Sequence, residues 1–233
     1  KKYWCTGKLG IRTASGDTGS EVVKRCSVDG ITEQSVRDVI PRFIGEVTQI
    51  PSMYSALKHK GQPLYKLARQ GIEVERKARN ITIYTLELLK FEGDEFSLLV
   101  HCSKGTYIRN LVEDMGEAMG CCAHVIKLHR TDAGPYTTDM MVTFEQLNEA
   151  LALGGHKQID QFLKPVSSSV TSWPEVLLTD HTAYYLKQGQ AVQVPQSPVD
   201  GMVRLSLEDG TFLGVGEILD DGKVAPRRLL KTS

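Results

Sequence analysis

Net charge is the first thing this sequence lacks. Its 233 residues carry 28 Lys plus Arg against 28 Asp plus Glu, so an overall basic charge cannot argue for nucleic acid, and only local clustering can. Cysteine is scarce. Five residues (5, 26, 102, 121 and 122) make an odd number without framework spacing, which argues against a disulfide scaffold and for a reduced, cytosolic protein. Cys121-Cys122-Ala123-His124 has no chelate spacing of the zinc type, so these cysteines read as small hydrophobes. No apolar run reaches membrane-spanning length and no signal peptide opens the chain. Gly214-Val215-Gly216 is followed by neither a third glycine nor a helix, which excludes a dinucleotide fingerprint, and no phosphate loop occurs elsewhere. There is no internal repeat and no low-complexity tract. The chain begins Lys-Lys-Tyr-Trp without Met, directly in what reads as a strand. A truncated or processed fragment is the expectation.

What is present centres on residues 95–128. Phe96, Leu98, Val100 and Cys102 alternate with Ser97, Leu99 and His101, a period of two that predicts a strand. Ser103-Lys104-Gly105-Thr106 turns the chain, after which Ile108, Leu111, Val112, Met115, Ala118 and Met119 recur at helical spacing up to Gly120. Tyr107 and Arg109 therefore fall at a strand-to-helix junction. A helix N-terminus is already positive, so Arg109 needs an anion there. A carboxylate from elsewhere in the fold or a phosphate would serve. The alternative is an ion pair with Glu113 at i+4, in the weaker orientation and worth about 0.3 kcal/mol.

From Lys58 to Arg79 stand seven basic residues (58, 60, 66, 69, 76, 77, 79) against Glu73 and Glu75, with Tyr54, His59 and Tyr65 interleaved. Cations beside aromatic faces suit a phosphate backbone and unstacked bases. A solvated surface is the alternative, but such asymmetry within a neutral chain points to nucleic acid. Elsewhere, strands are predicted over 3–9, 21–28, 80–91 and 122–128. Helices are predicted after the N-cap Thr32, shortened by Pro41, and after a Thr143–Gln146 capping box, ending at Gly154-Gly155. The composition shifts at 165–174, where a domain boundary is placed. Beyond it come a short helix between Thr179 and Gly189 and strands over 190–194, 202–207, 212–218 and 224–230. Asp209-Gly210 and Asp221-Gly222 supply the turns, and this spacing suggests a small barrel.

These stretches together resemble the bacterial tRNA pseudouridine synthase B (TruB) family over essentially the whole chain. Tyr3 with Lys8-Leu9-Gly10 is similar to the family's tyrosine motif. Residues 49–58 with Gly61, Tyr65, Ala68-Arg69 and Gly71 are similar to its RNA-gripping insertion. Residues 101–109 and 124–128 are similar to a third motif pair, and 214–217 with 224–230 to a PUA module. The resemblance implies an α+β fold: a mixed or antiparallel sheet core with flanking helices over 1–168, an RNA-binding insertion at about 49–80, and a PUA-like β-barrel over 169–233.

The implied reaction is isomerisation of uridine to pseudouridine in the tRNA T loop, at position 55, on a base taken out of its stack. Tyr3 would be platform and proton-transfer group, Tyr107 and Leu128 the walls around the base. Arg109 would hold a nucleophilic aspartate. Asp17, Lys58, Lys60, Tyr65, Arg69 and Lys104 would contact RNA. The family's aspartate lies in a Gly-x-Leu-Asp-Pro-x-Ala-x-Gly loop upstream of the tyrosine motif, and no such loop occurs here. Asp17 is not its substitute, since its Thr13-x-Ser15-x-Asp17 loop matches a different position of the family. The chain alone is thus expected to be inactive, with a non-catalytic tRNA-binding or RNA-folding module as the alternative reading. No cofactor or metal, no membrane, and a cytoplasmic monomer are further expectations.

Overall fold

The computed structural model describes residues 1–230, which fall into two compact units, one over 1–133 and one from 134 onward. In the first unit, β1 (Lys2–Leu9), β2 (Ile11–Thr13) and β3 (Val22–Arg25) precede α1 (Glu33–Val39), and β4 (Gly45–Gln49) follows it. A small hairpin of β5 (Lys58–His59) and β6 (Gln62–Pro63) runs into α2 (Leu64–Arg69). Then come β7 (Arg79–Glu92), β8 (Glu95–Cys102), α3 (Ile108–Ala118) and β9 (Ala123–Asp132).

Five strands make one antiparallel sheet in the order β4-β7-β8-β1-β9. Its order is set by alternation. Phe96, Leu98, Val100 and Cys102 of β8 are fully buried, and the residues between them are half-buried, so β8 shows one face to the core. On that face lie Leu111, Val112 and Met115 of α3 and Val36 and Val39 of α1. Close packing is enforced at Gly116, where a Cβ would come within 2.6 Å of the Ala123 backbone nitrogen. Thr32 caps α1, and the helix gives way at Ile40–Phe43 to a 3-10 turn carrying Pro41, because proline cannot supply the amide a longer helix needs. The insertion has its own small core of Met53, Leu64 and Leu67.

One sequence expectation fails in this unit. The five cysteines are not all unpaired: Cys26 and Cys122 form a disulfide, with Cα atoms 5.8 Å apart, within bridging range. Backbone bonds from the Gly10 amide to Cys122 O and from the Cys26 amide to Gly10 O bring the two together. They are 96 residues apart in sequence, so spacing gave no sign of the pair. Cys5, Cys102 and Cys121 are free and buried, and burial pushes the Cys5 thiol up to about 12.

In the second unit the Thr143–Gln146 capping box opens α4 (Phe144–Gly154), which ends at Gly155, and α5 (His156–Asp160) follows. Beyond it β10 (Glu175–Leu178), α6 (Asp180–Lys187), β11 (Gly201–Leu207), β12 (Phe212–Ile218) and β13 (Val224–Leu229) surround a core of Val176, Leu178, Leu186, Val203 and Leu205. Thr179 caps α6. Among the described residues the strands form an open sheet, β10-β11-β12-β13, with an isolated bridge between Val192 and Val224. No ladder closes it into a ring.

Candidate active-site cleft and nucleic-acid interface

The cleft is assembled from three distant stretches. Tyr107 ends the turn after β8 with extended backbone, and α3 begins behind it. Arg109 in the first turn of α3 reaches two carbonyls, donating from Nη1 to Ser15 O at 3.3 Å and from Nη2 to Tyr54 O at 3.2 Å. Among the described residues it is in no ion pair. The i+4 pairing with Glu113 is not formed, because that carboxylate faces Arg12 Nε at 3.7 Å. Two neutral carbonyls thus occupy a guanidinium whose planar fork suits a carboxylate or phosphate.

Around Arg109 opens a cleft of about 810 Å³ lined by Ser15, Asp17, Tyr54, Tyr65, Arg69 and Tyr107, among others. Asp17 is held by the loop it sits on: its Oδ1 accepts from the Thr18 amide at 2.8 Å, and it bridges to Val125 of β9. Arg69 lies over the Tyr65 ring at 5.6 Å from the centroid, within cation–π reach. Five of the residues singled out from sequence (17, 65, 69, 107, 109) therefore meet here. Tyr3 and Leu128 do not line this cleft. The β1–β9 register sets Tyr3 opposite Arg130 and Cys5 opposite Leu128, so Tyr3 and Leu128 share a sheet face as diagonal neighbours. Leu128 is 44% exposed. Burial pushes the Tyr3 phenol up, while a hydrogen bond donated by Arg130 works against it.

Lys58 and Lys60 sit on the β5–β6 hairpin, both exposed. Lys58 lines a second cavity of about 450 Å³ with His59, Glu75, Arg76, Lys77 and Arg79, so four of the tract's seven basic residues share it. Lys104 is exposed in the turn after β8 and lines neither cavity. Among the described residues no group of three or more His, Cys, Asp or Glu could hold a metal ion.

Three residues escaped the sequence reading. Gln49, buried at the end of β4, grips the Tyr107 residue: Nε2 donates to Tyr107 O at 3.1 Å and the Tyr107 amide donates to Oε1 at 3.0 Å. A buried Gln invites a search for partners, but not for these. Ser55 is 3% exposed, lines the cleft, and its hydroxyl has no partner among the described residues, a costly state that a bound ligand would relieve. Arg130 lies two residues beyond the motif at 124–128 and carried no signal.

Family profiles match nearly the whole chain. They are the TruB family pseudouridylate synthase N-terminal domain over 1–108, the tRNA pseudouridylate synthase B C-terminal domain over 109–171, and the pseudouridine synthase II TruB C-terminal region over 174–230. Relatives named tRNA pseudouridine synthase B are similar throughout. That of Coxiella burnetii (strain RSA 331 / Henzerling II) is 48% identical over 231 residues, covering 99% of the chain and 75% of the relative. That of Tolumonas auensis is 50% identical over 238 residues, covering 99% and 73%. Among solved structures, a Cbf5-Nop10-Gar1 complex matches with a TM-score of 0.71 at 21% identity, covering 99% of this chain and 65% of that one. An H/ACA RNP bound to a substrate RNA containing 2'-deoxyuridine matches at 0.68 and 18% identity, covering 100% and 66%. At such identities these structures speak to the fold alone.

Sheet, flanking helices and family matches define a protein of the pseudouridine synthase class. Within that class, the chain belongs to the TruB family.

Proposed function

We propose that this chain binds the T stem-loop of tRNA and presents the target uridine, at position 55, for conversion to pseudouridine. The observation that carries the reading is the cleft itself, where Asp17, Tyr65, Arg69, Tyr107 and Arg109 converge. The reaction breaks the glycosidic C–N bond, turns the uracil and forms a C–C bond at its C5, which loses its hydrogen. The base must first leave its stack. In this reading Tyr107 and Leu128 wall the flipped base and Tyr3 carries its platform, so the base reaches past the lining of the cleft to the β1–β9 face that bears Tyr3 and Leu128. Arg109 exchanges its two carbonyl partners for a carboxylate that it orients. The Gly-x-Leu-Asp-Pro-x-Ala-x-Gly loop that would supply this carboxylate is not within residues 1–233.

The strands beyond residue 168 are read as a PUA-like RNA-binding module, and the protein as a cytoplasmic monomer. No helix among the described residues is long and apolar enough to cross a membrane. The Cys26–Cys122 pair is the one feature pulling against the cytoplasm, where such bonds are rare. Release of tritium from C5-labelled uridine in a T-loop RNA tests the whole reading. The 233-residue chain should bind this RNA without releasing label, and a chimera carrying a relative's Asp-bearing N-terminal segment should release it. Label released by the chain alone would remove the outside aspartate from the mechanism. Absence of RNA binding by both would remove the function.

A further inference from the structure

A third, larger cavity of about 960 Å³ lies on the other side of the loop of residues 13–20. Thr13 and Ala14 face this third cavity, while Ser15, Asp17 and Thr18 face the cleft. The loop rests on α3 at Gly16. Its φ is +72°, and a Cβ there would stand 3.2 Å from Glu113 Cδ and 3.3 Å from Arg109 Cβ. The Glu113 side chain, 14% exposed, is therefore capped by the loop whose Ser15 carbonyl engages Arg109.

We propose that Glu113 is a positioning residue of the cleft. Seated beneath Gly16, it sets whether loop 13–20 lies down on α3, with Ser15 O on Arg109, or lifts and frees the guanidinium for an anion. The inference rests on the RNA-modifying reading for its purpose, though not for its geometry.

The charged groups around Glu113 decide the direction. Arg12 of β2 is 3.7 Å away, but its shorter bond, at 2.8 Å, goes to Glu117. From α3 itself come Asp114, Glu117 and Arg109, and across the third cavity stand Arg42, Glu73 and Arg76. Asp17 is on the loop, on the cleft side, and His124 of β9 touches the Ile11 carbonyl next to Arg12. Burial pushes the Glu113 carboxyl up to about 7, with Arg12 and Arg109 opposing and Asp114 and Glu117 reinforcing. A seated loop that raises this value binds the proton more tightly than a lifted loop, which gives the carboxylate to water. By linkage, protonation favours the seated loop, and ionisation as pH rises through about 7 favours lifting.

Amide hydrogen exchange of residues 14–20 in the free chain reads this directly, as protection factors corrected for the intrinsic pH dependence of exchange. In the wild type, protection should fall about tenfold between pH 6 and pH 8.5, since each unit of pH just below the seated value of about 7 shifts the balance tenfold towards lifting and the shift levels off above it. Glu113→Gln, neutral at every pH and of the same size, should stay protected throughout. Arg12→Gln removes the compensating cation and should lose protection beyond the wild type at pH 8. His124 is present in all three proteins, so it cannot separate them. Glu113→Gln losing protection in parallel with the wild type would overturn the inference. Affinity for the T-loop RNA is measured alongside. A chain that binds no RNA defeats the functional reading, whereas exchange that ignores Glu113 defeats only this one.

Discussion

Arg109 holds Tyr54 by its backbone: Nη2 donates to the Tyr54 carbonyl at 3.2 Å, across 55 residues of sequence. With the second bond to Ser15, one guanidinium pins the insertion and the 13–20 loop to the first turn of α3. Lysine in its place keeps the charge but cannot span two acceptors with a planar fork. In a chimera supplied with the family's aspartate loop, Arg109→Lys should slow the chemical step by roughly 10²-fold or more, with a smaller change in RNA affinity. Single-turnover rates at saturating enzyme make the measurement. A wild-type rate with weakened, salt-dependent binding would make Arg109 an RNA contact instead.

Gln49→Leu should destabilise the first unit. It leaves the N–H of Tyr107 without its partner, while the carbonyl keeps the Leu111 amide, and an orphaned N–H costs about 1–3 kcal/mol if it stays dry. Urea unfolding should show a lowered midpoint at unchanged slope. A midpoint equal to that of the wild type would mean that water takes over the bond to the Tyr107 amide.

Ser55→Ala should do the opposite in the free chain. The buried hydroxyl has no partner among the described residues, so removing it sacrifices no bond there and relieves desolvation worth about 1 kcal/mol. If the hydroxyl is kept for RNA, the same variant binds T-loop RNA more weakly. Gain in one measurement and loss in the other is the expected pair.

Charge reversal at Lys58, Lys60 and Arg69 should weaken RNA binding and flatten its dependence on salt, because a phosphate that no cation neutralises keeps its counterions and adds nothing to the slope. Titrations at several salt concentrations give that slope. An unchanged slope would place the RNA elsewhere on the surface.

Local features were open to reading from the sequence, and long-range ones were not. The alternation of Phe96 to Cys102 announced both β8 and its buried face, and Thr143 with Gln146 marked the start of α4. Each depends on neighbours within a few residues. Arg109 shows the limit. Its position at a helix start indicated an unmet need, but not that Ser15 and Tyr54 answer it. Cys26 with Cys122, Gln49 with Tyr107, and Tyr3 with Arg130 likewise depend on the register of strands far apart in the chain. Turn spacing located β11, β12 and β13 but not β10, and the strand expected over 190–194 is only an isolated bridge at Val192; nor can spacing tell an open sheet from a closed one, since closure needs a pairing between first and last strands.

The bonds at the root of the insertion also carry a mechanical meaning. Gln49 is fastened to Tyr107, and Asn110 Nδ2 donates to the Ile50 carbonyl at 2.9 Å. The stem of the insertion is thus riveted to the first turn of α3, whereas its far end carries the exposed hairpin with Lys58 and Lys60. A load applied at the hairpin turns about that rivet as about a fulcrum, and the short arm of the lever is the turn that bears Tyr107 and Arg109. An RNA bound as proposed, pulling on the hairpin, would therefore tug on the cleft.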